Sequence, residues 1–594
     1  MTEAVLGVGR SLSGRRWIWR RGEDRVAFGL AQRHGVPELV GRLLAARGVG
    51  LEEAAHFLDP TLRALLPDPS VLADMDGAAD RLARAVREGE TVGVFGDYDV
   101  DGACSSALMV SLLRMLGCRV LPHVPDRLIE GYGPNEAALQ SLLDRGATLV
   151  VCVDCGTAAG GVLACLHGRA DVVVLDHHQA EGPPPSVLAT VNPNRLDCTS
   201  GLRTLCAAAI AFLAAVATVR VLRRGGFFAR QAEPDLLALL DLVALATVCD
   251  VMPLTGLNRA LVTQGLKVMA RRTRPGIAAL LELVGAREPP TAVTCGYALG
   301  PRINAAGRIS EADLGLRLLL SADPVEAQAL AARLDEVNRQ RQQVEATMLD
   351  AALAAAEAQA AAGHPVLLVS GPDWHPGVVG IVAGRIKERF NRPACVGARV
   401  GGMVKGSGRS VTGVDLGAAV IAARQAGILV TGGGHAMAAG FSLEEDRLAA
   451  FHAFLNDRLA AAATLPASAD LSVEATLTVA AATAELATHL VRLAPFGPGN
   501  EEPVLVVPRA RVVRADRIGR DAATVRAYVE GEGGGRLKVL LFRGREGPVV
   551  DALLARPGLP LHLAGHLRVE AWNGAVTAGF VVADAAPATG LGAA

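Results

Sequence analysis

The sequence predicts an α/β protein: a parallel, doubly wound domain, a long connecting helix, a second α/β domain and a C-terminal β-barrel. Three observations predict it. Between residues 76 and 180, short apolar, β-branched stretches alternate with helical ones, the pattern of a parallel sheet with covered faces. After Pro324 a helical pattern runs without Gly or Pro until Gly363. From about residue 466 the pattern turns to strands.

The elements follow in chain order. Residues 1–75 carry helical patterning broken at Pro60, Pro67 and Pro69, and are expected to form an N-terminal extension packed on the next domain. Residues 76–265 form the parallel domain. Strands are expected at Thr91–Gly96, Arg119–Val124, Ala147–Val153 and Asp171–Leu175, with helices at Ala103–Leu116, Asn135–Arg145, 158–167, 203–223 and 235–248. Residues 266–363 are a helical region ending in the connector, with a Gly/Pro-rich boundary near 286–301. The connector begins with Asp323 as N-cap, Pro324 in the first turn and Glu326 completing a capping box. About forty residues of helix would span about 60 Å. Residues 364–460 are the second α/β domain, with the strand Pro365–Val369 and Gly-rich loops at 401–408 and 432–434. Residues 466–588 read as a barrel of the oligonucleotide-binding type, with strands near 504–513, 523–529, 537–542 and 559–569 and a hairpin turn at Asn573-Gly574.

Bulk properties narrow the function classes. The formal net charge is -1, so a polyanion site must be a local patch. The cations are nearly all Arg, with Lys only at 267, 387, 405 and 538. Ten cysteines in 594 residues make no disulfide framework and imply a reducing compartment. Cys152-x-x-Cys155 has no second pair to complete a zinc site. The longest apolar run, Leu205–Val219, is too short to span a bilayer, and no signal peptide is seen, so a soluble cytoplasmic protein is expected.

The placement of acids carries the chemistry. Asp97, Asp99 and Asp101 follow the first strand, Asp154 ends the third, and Asp176, His177 and His178 end the fourth. In open parallel sheets, sites form at the carboxyl ends of strands. Carboxylates gathered on one rim repel and cannot all ionise without a cation. A set dominated by carboxylates with one or two imidazoles suits Mn²⁺ or Mg²⁺ better than Zn²⁺, and this many ligands suits two cations sharing a carboxylate. A calcium loop is the rival for Asp97-x-Asp99-x-Asp101-Gly102. Its twelfth position would be Leu108 where Glu is needed, and a strand precedes it where a helix should. An isolated His-His pair is more often structural; after Asp176 at a strand end it reads as part of the site.

These residues resemble the DHH phosphoesterase family. Val94–Gly102 is similar to its first motif, Pro125–Gly133 to its second, Asp154–Gly156 to its third, Leu175–His178 to its fourth, and Asp250–Pro253 to its later aspartate motif. Gly300–Arg308, Trp374–Gly380, Gly406–Ser410, Gly432–His435 and Pro495–Asn500 resemble the bacterial branch specific for single-stranded DNA. The match runs from about residue 70 to the C-terminus.

The resemblance implies a DHH catalytic domain, a DHH-associated second domain and an oligonucleotide-binding C-terminal domain. It implies one cation held by Asp97, Asp99 and Asp154 and a second by Asp101, Asp154, His177 and Asp250, with Asp154 bridging. His178 would stand beside the scissile phosphate as orienting group or proton donor, and Asp176 would support the histidines. Arg127, Arg302, Arg308, Ser407, Arg409 and His435 would hold DNA or its terminal phosphate, and Trp572 and Phe542 are candidate stacking platforms or barrel core. The implied activity is 5′-to-3′ exonuclease on single-stranded DNA in recombination and repair, releasing 5′-mononucleotides. A cleft between the two α/β domains would exclude duplex. The chain would act as a monomer, with a RecQ-type helicase and a single-strand binding protein as partners. The alternatives are another DHH phosphodiesterase, such as an oligoribonuclease or nucleotide phosphatase, and an inactive DHH scaffold, which should have lost ligands that this chain keeps.

Overall fold

The computed structural model describes residues 3–588, apart from 128, 181, 467, 520–521, 543, 545, 556–558 and 573–574 and the side chains of 571, 572 and 575. The chain divides into two compact bodies. One comprises Asp59–Gln342 with Pro495–Glu501, the other Met1–Leu58, Gln343–Ala494 and Glu502–Ala594.

The first body is built on five parallel strands: β1 (Thr91–Phe95), β2 (Arg119–His123), β3 (Leu149–Val153), β4 (Asp171–Leu175) and β5 (Ala189–Val191). Their order is β2-β1-β3-β4-β5. Both faces are apolar, as the unbroken β-branched runs require. Val92, Val94, Val151 and Val173 point into a core shared with helices α1 (Val100–Met115), α3 (Ala207–Arg224) and α4 (Leu240–Cys249). Phe95, Val150, Cys152 and Val174 point to the opposite face, where α2 (Glu136–Asp144) packs. Asp99 caps α1 by accepting the Gly102 N–H at 3.0 Å, and Asn135 caps α2 through the Ala138 N–H at 2.9 Å. Because every strand runs the same way, all five carboxyl ends lie on one rim.

The boundary expected near 286–301 is instead interior to this body. A π-helix, Thr294–Leu299, runs directly into α5 (Gly300–Ile309), and Cys295, Leu299 and Ile303 join the main core. Gly300 is there for close packing, since a Cβ would stand 2.5 Å from the Cys249 sulfur. Composition alone does not separate a packing glycine from a linker glycine.

The connector is α6 (Pro324–Ala361), 38 residues long and about 57 Å at 1.5 Å per residue. Asp323 caps it through the Val325 N–H at 2.9 Å. Glu326 accepts the Ser321 hydroxyl at 2.6 Å rather than closing a capping box.

In the second body, β6 (Leu367–Pro372), β7 (Ala394–Val400), β8 (Met403–Arg409), β9 (Thr431–His435) and β10 (Ala438–Glu444) form a mixed sheet in the order β9-β10-β8-β7-β6, with helices α7 (Val379–Phe390) and α8 (Leu416–Gln425). Gly401 and Gly402, both at positive φ, make the two-residue turn between β7 and β8. The remaining glycines expected in loops lie inside β8 and β9. A Cβ on Gly406 would collide with the Phe441 ring, and one on Gly408 would stand 2.6 Å from Leu416 Cδ2.

The barrel consists of β11 (Leu505–Ile518), β12 (Thr524–Glu530), β13 (Arg536–Leu541), β14 (Leu561–Trp572) and β15 (Ala575–Pro587). The order β11-β12-β13-β15-β14 closes because β14 pairs back onto β11. Bulges at Val507/Ala510 and Val512/Arg514 let the long β11 serve two neighbours. The turn expected at Asn573-Gly574 lies outside the described residues, as does the Trp572 side chain; the flanking strands pair, with Trp572 opposite Ala575. Phe542 is exposed and so not barrel core.

The segment expected as one N-terminal extension is divided between the bodies: residues 59–75 belong with the parallel domain, whose core Leu72 joins. Residues 1–58 belong with the barrel body. Trp17–Trp19 adds in parallel to Leu471–Val473, and Trp17 is fully buried, donating its indole N–H to Asp584 at 2.9 Å. A short aromatic strand needs an edge and a buried indole needs an acceptor; both come from partners more than 450 residues away. No helix among the described residues is long and apolar enough to cross a membrane.

Candidate metal centre

The strand-end residues meet on the rim of the first body. Three donor groups arise there: Asp97, Asp99 and Asp154; Asp101, His177 and Asp250; and Asp154, His177 and His178. Asp154 and His177 are each common to two groups. His177 Nε2 lies 3.2 Å from Asp154 Oδ1, 3.5 Å from Asp250 Oδ2 and 3.7 Å from Asp101 Oδ2.

Each side chain is placed by a local device. Asp101 is fully buried against the first turn of α3, accepting the N–H groups of Ala207 and Ala208 at 2.6 and 2.9 Å, which aims a helix N-terminus at the carboxylate. Asp154 follows β3 with φ +60, a left-handed conformation that Asp tolerates better than most residues and that is often found at functional sites. Asp250 ends α4. Asp176 has its oxygens taken by protein donors: the N–H groups of Thr157, His177 and His178 and the His178 ring, at 2.7–3.1 Å. It therefore supports the histidines rather than offering lone pairs to a cation.

The electrostatics demand positive charge. Burial, then the Asp99 charge, pushes Asp97 up to about 8. Burial, then Asp101 and Asp99, pushes Asp250 up to about 9. Burial and neighbouring acids also raise Asp101 and Asp154. Burial lowers His177, favouring the neutral ring a cation needs. Burial would lower His178 too, but the Asp176 hydrogen bond and charge raise it to about 9. Asp97 Oδ1, Asp154 Oδ1 and Asp250 Oδ2 are buried without a protein hydrogen-bond partner. Orphaned acceptors on crowded, buried carboxylates are the signature of oxygens meant for a divalent cation, so the residues fit the metals that their types suggest. All ten cysteines are free thiols, and none joins a candidate metal group among the described residues.

The residues expected to hold DNA divide. Arg127 stands 5.3 Å from the Tyr98 ring and acts on Asp97 through its charge. The Arg308 charge reaches Tyr98, against which Gly307 packs. Arg302 differs: its guanidinium is bound by Asp335 at 2.9 Å and by the Ala298 carbonyl at 2.7 Å, so it holds α5 in place. Ser407, Arg409 and His435 lie in the second body. Register puts Arg409 opposite Ala438 and Ala438 opposite His435, so the two side chains share one face, with Ser407 two residues before Arg409 on that same face. The Gly-rich loop expected at 401–408 is largely a strand. Ser407 and Arg409 are inside a central strand paired on both sides, so their amides serve the ladder and only side chains can meet a phosphate.

Several contributors had no assignment from sequence. Tyr132 donates to the Asp154 carbonyl at 3.1 Å and lies 3.2 Å from His178 Nδ1. Asn192 and Asn194 donate to the His178 and His177 carbonyls at 2.8 and 2.6 Å. Asn304 accepts the Val100 N–H at 3.1 Å, tying α5 to the first acidic loop. The asparagines directly follow β5, a polar pair at a fifth strand end, which was the available signal.

The chain matches the DHH family N-terminal domain over residues 91–247, the DHHA1 domain over 363–461 and the RecJ OB domain over 473–584. It is 34% identical over 580 residues to the single-stranded-DNA-specific exonuclease RecJ of Bacillus subtilis, covering 96% of this chain and 71% of that protein. The crystal structure of RecJ from Thermus thermophilus in complex with Mn²⁺ superposes with a TM-score of 0.79 at 31% identity, covering 96% of this chain and 79% of that one. The complex of that protein with Mg²⁺ gives a TM-score of 0.74 at 30% identity, covering 96% and 78%.

Proposed function

The chain belongs to the RecJ family of DHH phosphoesterases, and from that premise we propose that it is a single-stranded-DNA-specific exonuclease. It removes 5′-mononucleotides in the 5′-to-3′ direction during recombination and repair, and its cofactors are two divalent cations, Mn²⁺ or Mg²⁺. The observation that carries the reading is the set of donor groups sharing Asp154 and His177, with partnerless carboxylate oxygens on one rim.

Asp97, Asp99 and Asp154 would hold one cation, and Asp101, Asp154, His177 and Asp250 the other. Bound there, divalent cations activate water and neutralise phosphoryl charge. The chain supplies the rest. His178, kept protonated by Asp176, donates a proton to the departing 3′-oxygen. Arg127 and Arg308 meet the phosphate beside the first acidic loop. Ser407, Arg409 and His435 take the 5′-terminal phosphate on their common sheet face. The barrel, with exposed Phe542, holds the strand downstream. A RecQ-type helicase and a single-strand binding protein are its partners, and it works as a cytoplasmic monomer.

The purified chain with Mn²⁺ should degrade 5′-phosphorylated single-stranded DNA to mononucleotides and leave blunt duplex intact. Cleavage confined to dinucleotides or short RNA would contradict the reading. A second test addresses the proton. Asp176→Asn removes the main group raising His178. The His178 pKa should fall toward its ordinary value of about 6.5, so the alkaline limb of the kcat–pH profile should move to lower pH. An unmoved limb would remove His178 as the acid.

A further inference from the structure

Asp250 is held by a strained cap. Val251 takes φ +61, which a β-branched residue avoids, while the Met252 N–H reaches back to the Thr247 carbonyl at 3.1 Å and closes α4. Such a conformation persists only where the surroundings over-determine it. Here they come from far along the chain. Residues Pro495–Glu501 belong to the same body as Asp250, although the residues on either side of that stretch do not.

The stretch is a closed loop. Gly497 and Asn500 exchange backbone hydrogen bonds at 3.0 Å, and the buried Asn500 side chain donates to the Pro495 carbonyl at 2.8 Å. The Pro498 carbonyl then accepts the Leu254 N–H at 2.7 Å. Gly497 sits so close to Leu254 that a Cβ would stand 2.7 Å from Leu254 Cδ1, and a Cβ on Gly499 would meet Pro253 and Thr255 at 3.3 Å. From the other side, Asn258 donates to the Pro253 and Thr204 carbonyls at 3.1 and 2.7 Å. The buried Arg259 donates to the Pro495 carbonyl at 3.5 Å. Pro253 and Leu254 are thus gripped on two sides, three and four residues after Asp250.

We propose that Pro495–Asn500 is a brace that fixes the Asp250 carboxylate for cation binding, making Gly497 and Asn500 positioning residues for the metal centre. This rests on the reading of Asp250 as a cation ligand.

The test uses the full chain and Mn²⁺ alone, with free Mn²⁺ followed by electron paramagnetic resonance, alongside nuclease kinetics and thermal unfolding of the metal-free protein. Gly497→Val drives a side chain into Leu254. Mn²⁺ affinity should fall roughly 10–100-fold, kcat should recover at saturating Mn²⁺, and KM for DNA should not change. The milder Gly497→Ala should give a smaller loss, and keeps the test open if the Val variant does not fold. Adding Leu254→Ala to Gly497→Val should restore affinity by making room. Unchanged Mn²⁺ affinity in a folded Gly497 variant would overturn the brace. Asp250→Ala separates the premise: if it leaves Mn²⁺ binding intact, the ligand reading fails, whereas if it weakens binding and the Gly497 variants do not, the brace alone fails.

Discussion

Asp154→Ala should abolish nuclease activity, by on the order of 10⁴-fold or more in kcat, while leaving the fold intact. Asp154 belongs to two of the three donor groups, and in the proposed assignment it serves both cations, so its loss would remove a ligand from each. It also stands among four other acids and is fully buried, with one oxygen lacking any protein partner. Removing it relieves repulsion in the metal-free chain, and a buried group with no native hydrogen bond at that oxygen leaves nothing behind unsatisfied. The metal-free variant should therefore unfold at the same temperature as the parent or higher. Activity within tenfold of the parent would refute the shared-ligand assignment. Lost activity with a strongly lowered unfolding temperature would show a structural role instead.

The stabilisation given by a divalent cation should grow steeply with pH. In the folded, metal-free chain Asp97 and Asp250 keep their protons up to about 8 and about 9. Unfolded, they ionise near about 3.9. Between those values the folded state binds more protons than the unfolded one, so stability falls as pH rises through that interval. A cation takes the place of those protons and binds the ionised carboxylates, so its affinity rises over the same interval. Thermal unfolding with and without Mg²⁺ from pH 6 to 8.5 should show a metal-free midpoint that declines and a Mg²⁺-induced gain that widens. A gain independent of pH would mean the carboxylates are already ionised without metal.

Much of this site was legible because its chemistry is written in strand ends. A parallel sheet sends every strand's carboxyl end to one rim, so acids after β1, β3 and β4 had to meet once the strands were recognised. Asp250 was harder, since it ends a helix, and only motif resemblance supplied it. What stayed hidden depends on long-range contacts. Nothing in Trp17–Trp19 points to Leu471–Val473 or Asp584. The glycines of β8 look like a loop until Phe441 and Leu416 are seen against them. Arg302 resembles a phosphate ligand until Asp335, on α6, takes its guanidinium. Pro495–Asn500 reads as part of the barrel domain, whereas it belongs with Asp250.

In the proposed assignment one rim holds two cations through shared ligands. The most direct measurement is the number of Mn²⁺ ions bound per chain, by titration of the intact protein at pH 8 followed by electron paramagnetic resonance. Two Mn²⁺ per chain are predicted for the parent, and fewer than one at the same concentrations for Asp154→Ala. A parent that binds a single Mn²⁺, or an Asp154→Ala variant that still binds two, would contradict it.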